Sequence, residues 1–391
     1  MNILYLCDEY PPCKHGGIGS VTQTLARELV KKNHNVFVNG FYPYFRNALP
    51  FENDNGVKVF RNFYGNRLLL QFSRRKFLGS IYNISNSFNH YTSGLTKFIY
   101  ENDIHIIEIP DFNEAFRYSG TKFIRFPNFQ VPVVVKLHGT YNVISQLTQR
   151  KINKYIYMKE LYLINNATRI IGVSSYTKKI VKETFNYPRP IELIYNGVNI
   201  GYVKNNEKRL DNTVIFAGTV CENKGIFSLI KAWSEVVKNN PLAKLFIYGK
   251  IGERDLIKVN QLIPKNQKHS IQLKGFISKE ELLNQFRLAS CSIFPSYIEN
   301  FSLVPLESMQ MGCPTIFTER ASGNELISNG HNGLLIDPDN ITGISDAILF
   351  LLNNKSEAAR IGKNGTKTIR DKFDISIIAD QHIKLYSSLI K

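Results

Sequence analysis

The sequence predicts a doubly wound α/β protein built in two halves, each around its own parallel sheet. Three observations carry this expectation. Short β-rich runs alternate with helical patterns from one end to the other. Many of those runs are continuously apolar, as in Val133-Val134-Val135 and Leu245-Phe246-Ile247-Tyr248, and strands covered on both faces have that pattern. The length, 391 residues, exceeds one ordinary domain and suits two.

In the first half the expected strands are 3–7, 35–41, 57–60, 104–109, 131–138, 169–173 and 191–195. In the second half they are 213–217, 244–248, 270–275, 291–294, 314–317 and 333–336. Helical spacing lies between them: Val21, Leu25 and Leu29 recur every four residues, and Leu229, Trp233, Val236 and Val237 repeat the pattern. Two cycles of strand and helix predict two Rossmann-like domains, 1–200 and 201–374. The polar stretch 199–212, with Gly201 and the run from Lys204 to Arg209, is the expected linker.

Composition narrows the class. Hydrophobic residues make up 43% and charged residues 21%, which excludes a disordered chain and a small disulfide scaffold. Only a short apolar run precedes Asp8 and Glu9, which predicts a first strand rather than a signal peptide. No run approaches the length of a membrane-spanning helix. The five cysteines show no metal-type spacing. Cys7, Cys291 and Cys313 are expected in the core, and a reducing, cytoplasmic setting is expected. The net charge of +17 points to an anionic partner. It is concentrated in the first 200 residues, which carry +12, against +5 in the rest.

Ligands of doubly wound sheets bind beyond the carboxyl ends of the strands, so the residues after each strand are the candidates. Gly16 and Gly17 follow the first strand and lead into a helix, an arrangement that brings free amides close to a phosphate. It reads equally as a glycine turn with Ser20 as helix N-cap. His138, before Gly139, ends a buried strand and is expected to point into a cleft. The alternative is a histidine bonded to backbone. Lys224, held by Gly225 before a helix, suits a diphosphate, or is an ordinary surface lysine. Glu299 and Glu307 stand eight positions apart around a helix start. The amides of residues 301–304 lie there, and the carboxylates suit hydroxyl-rich sugar and ribose. The local alternative for Glu307 is capping or pairing.

Gly16-Gly17, Lys224-Gly225 and the Glu299…Glu307 pair, followed by Gly312-Cys313-Pro314 and Gly323-Asn324-Glu325, resemble a retaining glycosyltransferase of family 4, over nearly the whole chain. The resemblance implies a GT-B fold, with two sheets facing across a cleft and a last helix, 375–391, crossing back to the first domain. It implies transfer of a hexose-type sugar from a nucleotide diphosphate donor, such as a UDP- or GDP-hexose, to an acceptor hydroxyl, without a metal or other cofactor. Gly16 and Gly17 would then lie near the donor diphosphate, which Lys224 would bind. His138 would lie by the transferred sugar, and the second domain's Phe276 and Ile277 against the base. Glu299, helped by the amides of Asn300, Phe301, Ser302 and Leu303, would hold the sugar, and Glu307 the ribose. The resemblance makes surface polysaccharide or glycolipid synthesis the expected setting. One departure stands out: the family's usual arginine after Gly218 is Thr219 here, and Arg254 is the candidate substitute. Asp337-Pro338-Asp339 matches an Asp-x-Asp metal pattern but falls where the family commonly has a proline and an acid.

Other readings stay open. Glu299 and Glu307 could be the acid–nucleophile pair of a glycosidase. A non-catalytic sugar-nucleotide-binding protein would share the fold. The charge would also suit nucleic acid, but no aromatic-interleaved basic stripe is present, so no nucleic-acid partner is expected. The stretch 67–78, with Arg67, Arg74, Arg75 and Lys76 among large apolar residues, reads as a peripheral contact with an anionic membrane or as a helix with a solvated basic face.

Overall fold

The structure is a computed structural model that describes residues 1–13, 16–42, 48–63, 77–111, 127–147, 151–201 and 209–390. His15, most of the 67–78 stretch and most of the linker run at 204–209 lie outside the described residues. The chain divides into two compact units, 1–197 with 375–391 and 198–374.

The first unit holds β1 (Asn2–Tyr5), β2 (Asn35–Tyr42), β3 (Phe51–Asp54), β4 (Val57–Phe63), β5 (Ile106–Pro110), β6 (Val133–Leu137), β7 (Arg169–Gly172) and β8 (Glu192–Leu193). Their order across the sheet is β3-β4-β2-β1-β5-β6-β7-β8. The order reverses between β1 and β5, which is the switch point of the sheet. Pairing is parallel except at one edge, where β3 runs antiparallel to β4. The expected parallel sheet is present, and β3 is an added edge strand that the sequence reading does not include. The cause of its antiparallel run is local: Asn55 and Gly56 both take positive φ, 50° and 90°, and such a pair closes a two-residue hairpin.

The helix Ile375–Leu389 belongs to this unit. Its Ile375, Ile378, Ala379 and Tyr386 pack with Ile3, Tyr5, Leu25 and Ile106 in one core cluster. The same helix covers a polar group. Glu108 on β5 and Lys136 on β6 are almost fully buried, with His382 and Tyr386. The Tyr386 hydroxyl donates to Glu108 Oε2 at 2.6 Å. Lys136 Nζ lies 3.4 Å from His382 Nε2, and His382 Nδ1 lies 2.8 Å from the Ile378 carbonyl. The ammonium donates to Nε2, so Nδ1 carries the ring's proton. Burial and the Lys136 charge push the His382 pKa well below its usual value. Buried charges persist where they are paired and bonded in this way.

The second unit holds β9 (Thr213–Ala217), β10 (Lys244–Tyr248), β11 (Ile271–Gly275), β12 (Cys291–Phe294), β13 (Thr315–Thr318) and β14 (Leu334–Ile336). All pair in parallel, in the order β11-β10-β9-β12-β13-β14. The reversal falls between β9 and β12. Trp233, fully buried, anchors the covering helix Ile226–Asn239 and donates Nε1–H to Ser270 Oγ at 3.0 Å. All five cysteines are free, and Cys7, Cys13, Cys291 and Cys313 are buried. Among the described residues, no helix is long and apolar enough to cross a membrane.

Candidate active site

Lys224 and Glu299 come from the loops after β9 and β12, the two strands that flank the switch point of the second sheet. Lys224 ends a short turn, Glu222–Lys224. Gly225 follows at φ +70°, and a Cβ there would fall 1.8 Å from the Pro295 carbonyl oxygen. Only glycine permits both the backbone angle and this approach. The two loops are therefore held together, and the Lys224 ammonium pairs with Glu299 Oε2. The lysine singled out from the sequence is engaged with a residue 75 positions away.

The helix Leu303–Gln310 follows this loop, with Ser302 at its N-cap. The Ser302 side chain makes no capping bond, so the first-turn amides are not capped from that residue. Phe301 is buried, and its ring lies 6.0 Å from that of Phe373. Asn300 Oδ1 is buried without a hydrogen-bond partner. Leu303 opens the helix, and Glu307, 7% exposed, lies within it. Its carboxylate is 2.6 Å from Lys279 Nζ. Lys279 opens the helix Lys279–Leu288, whose N-cap Ser278 forms a full capping box with Glu281. The sequence reading missed this lysine, although Ser278-x-x-Glu281 marks the helix start that presents it.

At the other edge, Gly275 ends β11 and Phe276 stands 72% exposed beyond it, next to half-buried Ile277. Lys250 Nζ lies 5.0 Å from the Phe276 ring centroid, within cation–π range. The Lys250 carbonyl accepts from the Val220 amide at 2.9 Å, beside exposed Thr219. Arg254, the candidate substitute for the missing arginine, is exposed in the first turn of Glu253–Leu262. Lys250 is the cation whose backbone adjoins the Thr219 segment.

Asp337 and Asp339 are both engaged by Arg320, whose Nη2 lies 2.5 Å from Asp337 Oδ1 and 2.6 Å from Asp339 Oδ2. Among the described residues no group of three or more His, Cys, Asp or Glu gathers as a metal site.

In the first unit the helix after β1 is Gly17–Lys31, with Gly16 at its N-cap. Ser20 therefore lies inside the helix and is not its cap. Its hydroxyl donates back to the Gly16 carbonyl at 3.4 Å. The Gly16 amide donates to Glu9 Oε2 at 3.1 Å, so a carboxylate of the chain itself occupies part of this anion-receptive turn. His138 lies just past β6 and is half-buried. Burial, with the Lys136 charge adding to it, holds its imidazole well below the ordinary pKa and hence neutral near pH 7. Gly139 N–H donates to Asp111 Oδ2 at 2.8 Å. Thr140 Oγ1 accepts from Val143 N–H at 3.2 Å, and Glu160 accepts from the Tyr141 and Asn142 amides.

Two doubly wound units, the second with a cation–carboxylate pair at its switch point, define the GT-B class of glycosyltransferase architecture. Residues 15–202 match the family model described as Glycosyltransferase Family 4, and residues 202–368 match Glycosyl transferases group 1. The chain belongs to this glycosyltransferase family. An uncharacterized glycosyltransferase of Methanocaldococcus jannaschii is 26% identical, over 99% of this chain and 98% of that one. A second from that organism is 31% identical over 62% of this chain, and the match spans 64% of its length. Among solved structures, sucrose-phosphate synthase from Thermosynechococcus elongatus superposes with a TM-score of 0.78 at 19% identity, over 100% of this chain and 99% of that one. Anabaena HepE in complex with UDP and glucose gives 0.74 at 18%, over the whole of both chains.

Proposed function

We propose that this enzyme moves a hexose-type sugar from a nucleotide diphosphate donor to an acceptor hydroxyl, with retention of anomeric configuration and without a metal. The observation that carries the reading is the Lys224–Glu299 pair at the switch point of the second sheet, beside the helix start at Leu303. The diphosphate would draw Lys224 and release Glu299 to the sugar hydroxyls. The helix-start amides would meet the charge that develops on the leaving group. Glu307 would take the ribose hydroxyls, with Phe276 and Ile277 against the base. Lys250 would supply the positive charge that Thr219 does not. In the first unit Gly16 and Gly17 would approach the diphosphate, and a neutral His138 would hydrogen-bond the sugar. Metal independence fits the engagement of Asp337 and Asp339 by Arg320, which a divalent ion would have to displace.

In the front-face route, the bond from the anomeric carbon to the diphosphate oxygen breaks. The acceptor oxygen bonds to the same face, and its proton passes to the leaving diphosphate. A sugar trapped on a protein side chain would contradict it.

A relative in Staphylococcus aureus is named a capsular polysaccharide biosynthesis glycosyltransferase, and another a poly(ribitol-phosphate) alpha-N-acetylglucosaminyltransferase. These names support a surface-polymer pathway, and the proposal extends to a cytoplasmic location and a sugar or lipid-linked acceptor. The stretch 67–78 would rest on an anionic membrane. Unchanged binding of the triple variant Arg74→Gln, Arg75→Gln, Lys76→Gln to phosphatidylglycerol vesicles would defeat that part.

The test is a panel of UDP-, GDP- and ADP-hexoses, scored by thermal shift and donor hydrolysis with and without EDTA. One nucleotide class is expected to raise the melting temperature, with hydrolysis unaffected by the chelator. Cleavage of oligosaccharides with no nucleotide requirement would replace the proposal with a glycosidase. Donor binding with no turnover in any acceptor mixture would leave a sugar-nucleotide-binding protein.

A further inference from the structure

Glu299 stands in a segment without helix or strand, yet pairing with Lys224 and holding a sugar demand a fixed carboxylate. Two residues earlier, Tyr297 joins four segments of the second unit. Its amide donates to the Asn223 carbonyl at 2.9 Å, next to Lys224. At the other end of the side chain, the phenol oxygen lies 2.9 Å from Ser228 Oγ, 3.0 Å from Asp339 Oδ1 and 3.3 Å from the Pro338 carbonyl. Carboxylate and carbonyl only accept, so the phenol donates to them and the Ser228 hydroxyl donates to the phenol. Arg320 closes the group. It binds Asp337 and Asp339, and its guanidinium carbon lies 5.2 Å from the Tyr297 ring centroid. Ser322, two residues on, donates its hydroxyl to the Glu299 carbonyl at 3.3 Å.

We propose that Tyr297, clamped by Arg320 and Asp339, is a positioning residue that sets the Lys224–Glu299 pair for the donor. The inference rests on the reading that this pair binds the donor. Tyr297 reaches both partners: Lys224 through Asn223 and the Ser228 helix, and Glu299 through the loop they share. The Arg320–Ser322 segment grips the loop at Tyr297 and at Glu299 itself. The clamp is not part of the core. Asp339 is 64% exposed and Arg320 34%, while the buried cluster around Phe216, Trp233 and Ile293 includes neither. Loosening it therefore acts on the site more than on the fold.

The experiment uses the full chain and, as probe, whichever of UDP, GDP and ADP raises its melting temperature most. The variants are Tyr297→Phe, Arg320→Gln and Arg320→Lys, with Lys224→Met as reference. Probe Kd, donor KM, kcat and melting temperature are measured for each. Tyr297→Phe is expected to weaken the probe and raise donor KM about fivefold, the effect of losing one or two hydrogen bonds, with little change in melting temperature. Arg320→Lys should keep part of what Arg320→Gln loses. The Lys224→Met/Tyr297→Phe double variant should bind no more than about twofold weaker than Lys224→Met alone, since Tyr297 acts through that lysine. A Kd within twofold of the parent in both Tyr297→Phe and Arg320→Gln, with Lys224→Met weakened, overturns the clamp and leaves the donor reading standing. A lowered melting temperature with unchanged Kd makes Tyr297 a brace only and overturns it too. If no nucleotide stabilises the parent, or Lys224→Met binds as the parent does, the donor reading falls and takes this inference with it. Should Tyr297→Phe fail to fold, Arg320→Gln and Ser228→Ala decide by the same readouts.

Discussion

Under the helix Ile375–Leu389, Lys136 and Glu108 are sealed away from water with His382 and Tyr386. In the loops after β9 and β12, Lys224 pairs with Glu299 where solvent still reaches both side chains. The two groups use the same chemistry in opposite settings. The first holds its partners permanently, because a buried charge left alone is costly. On the proposed function the second holds partners that an incoming anion would exchange, because water and ligand can compensate for what is lost. A network of charge thus belongs to the fold in the first unit and, on the proposed function, to binding in the second.

The contrast is sharpest in stability. Lys136→Met should destabilise the protein by roughly 3–5 kcal/mol, since it removes the cation whose charge offsets buried Glu108 and the donor to His382 Nε2. Adding Glu108→Gln should restore much of that in denaturant titrations. A loss of under about 1 kcal/mol in the single variant would erase the distinction. Lys224→Met should do the reverse. Its melting temperature should stay near the parent's, while kcat/KM for the donor falls about 100-fold, the scale of losing one charge-stabilising contact in a transition state.

Acid provides a third test. The pKa values of His382 and His138 are both depressed from 6.5, so the unfolded chain takes up these protons first as pH falls. Stability is then full above about 6.5 and declines below it, by up to about 1.4 kcal/mol per pH unit for each histidine. Unfolding followed from pH 7.5 to 5.5 should show this slope, and His382→Gln should flatten it. The smallest effect is expected at Lys279→Met. Its pair with Glu307 is half exposed on the lysine side and worth about 1 kcal/mol or less, which is under about fivefold in donor KM.

The sequence discloses these features unequally. Runs such as Thr213–Ala217 and Lys244–Tyr248 are apolar enough to be located to the residue. β3, spelled Phe51-Glu52-Asn53-Asp54, escapes because an edge strand need not be apolar. The Asn55-Gly56 turn was the readable sign of it. In the site, Lys224, Glu299 and Glu307 are marked by neighbouring glycine, proline and helix-start residues. Their partners are not. Lys136 meets His382 across 246 positions, and Tyr297 meets Asp339 across 42. Local periodicity carries no record of such pairs. Asp337 and Asp339 illustrate the limit: the spacing reads as a metal pattern, and Arg320 gives it another use.

The most direct measurement is calorimetric titration of UDP, GDP and ADP into the parent chain and into Lys224→Met. If the second unit's exchangeable pair receives a nucleotide diphosphate, one of the three binds the parent in a salt-sensitive manner. The variant then loses at least tenfold in affinity while melting as the parent does. Equal binding by parent and variant, or no binding by the parent, would contradict it.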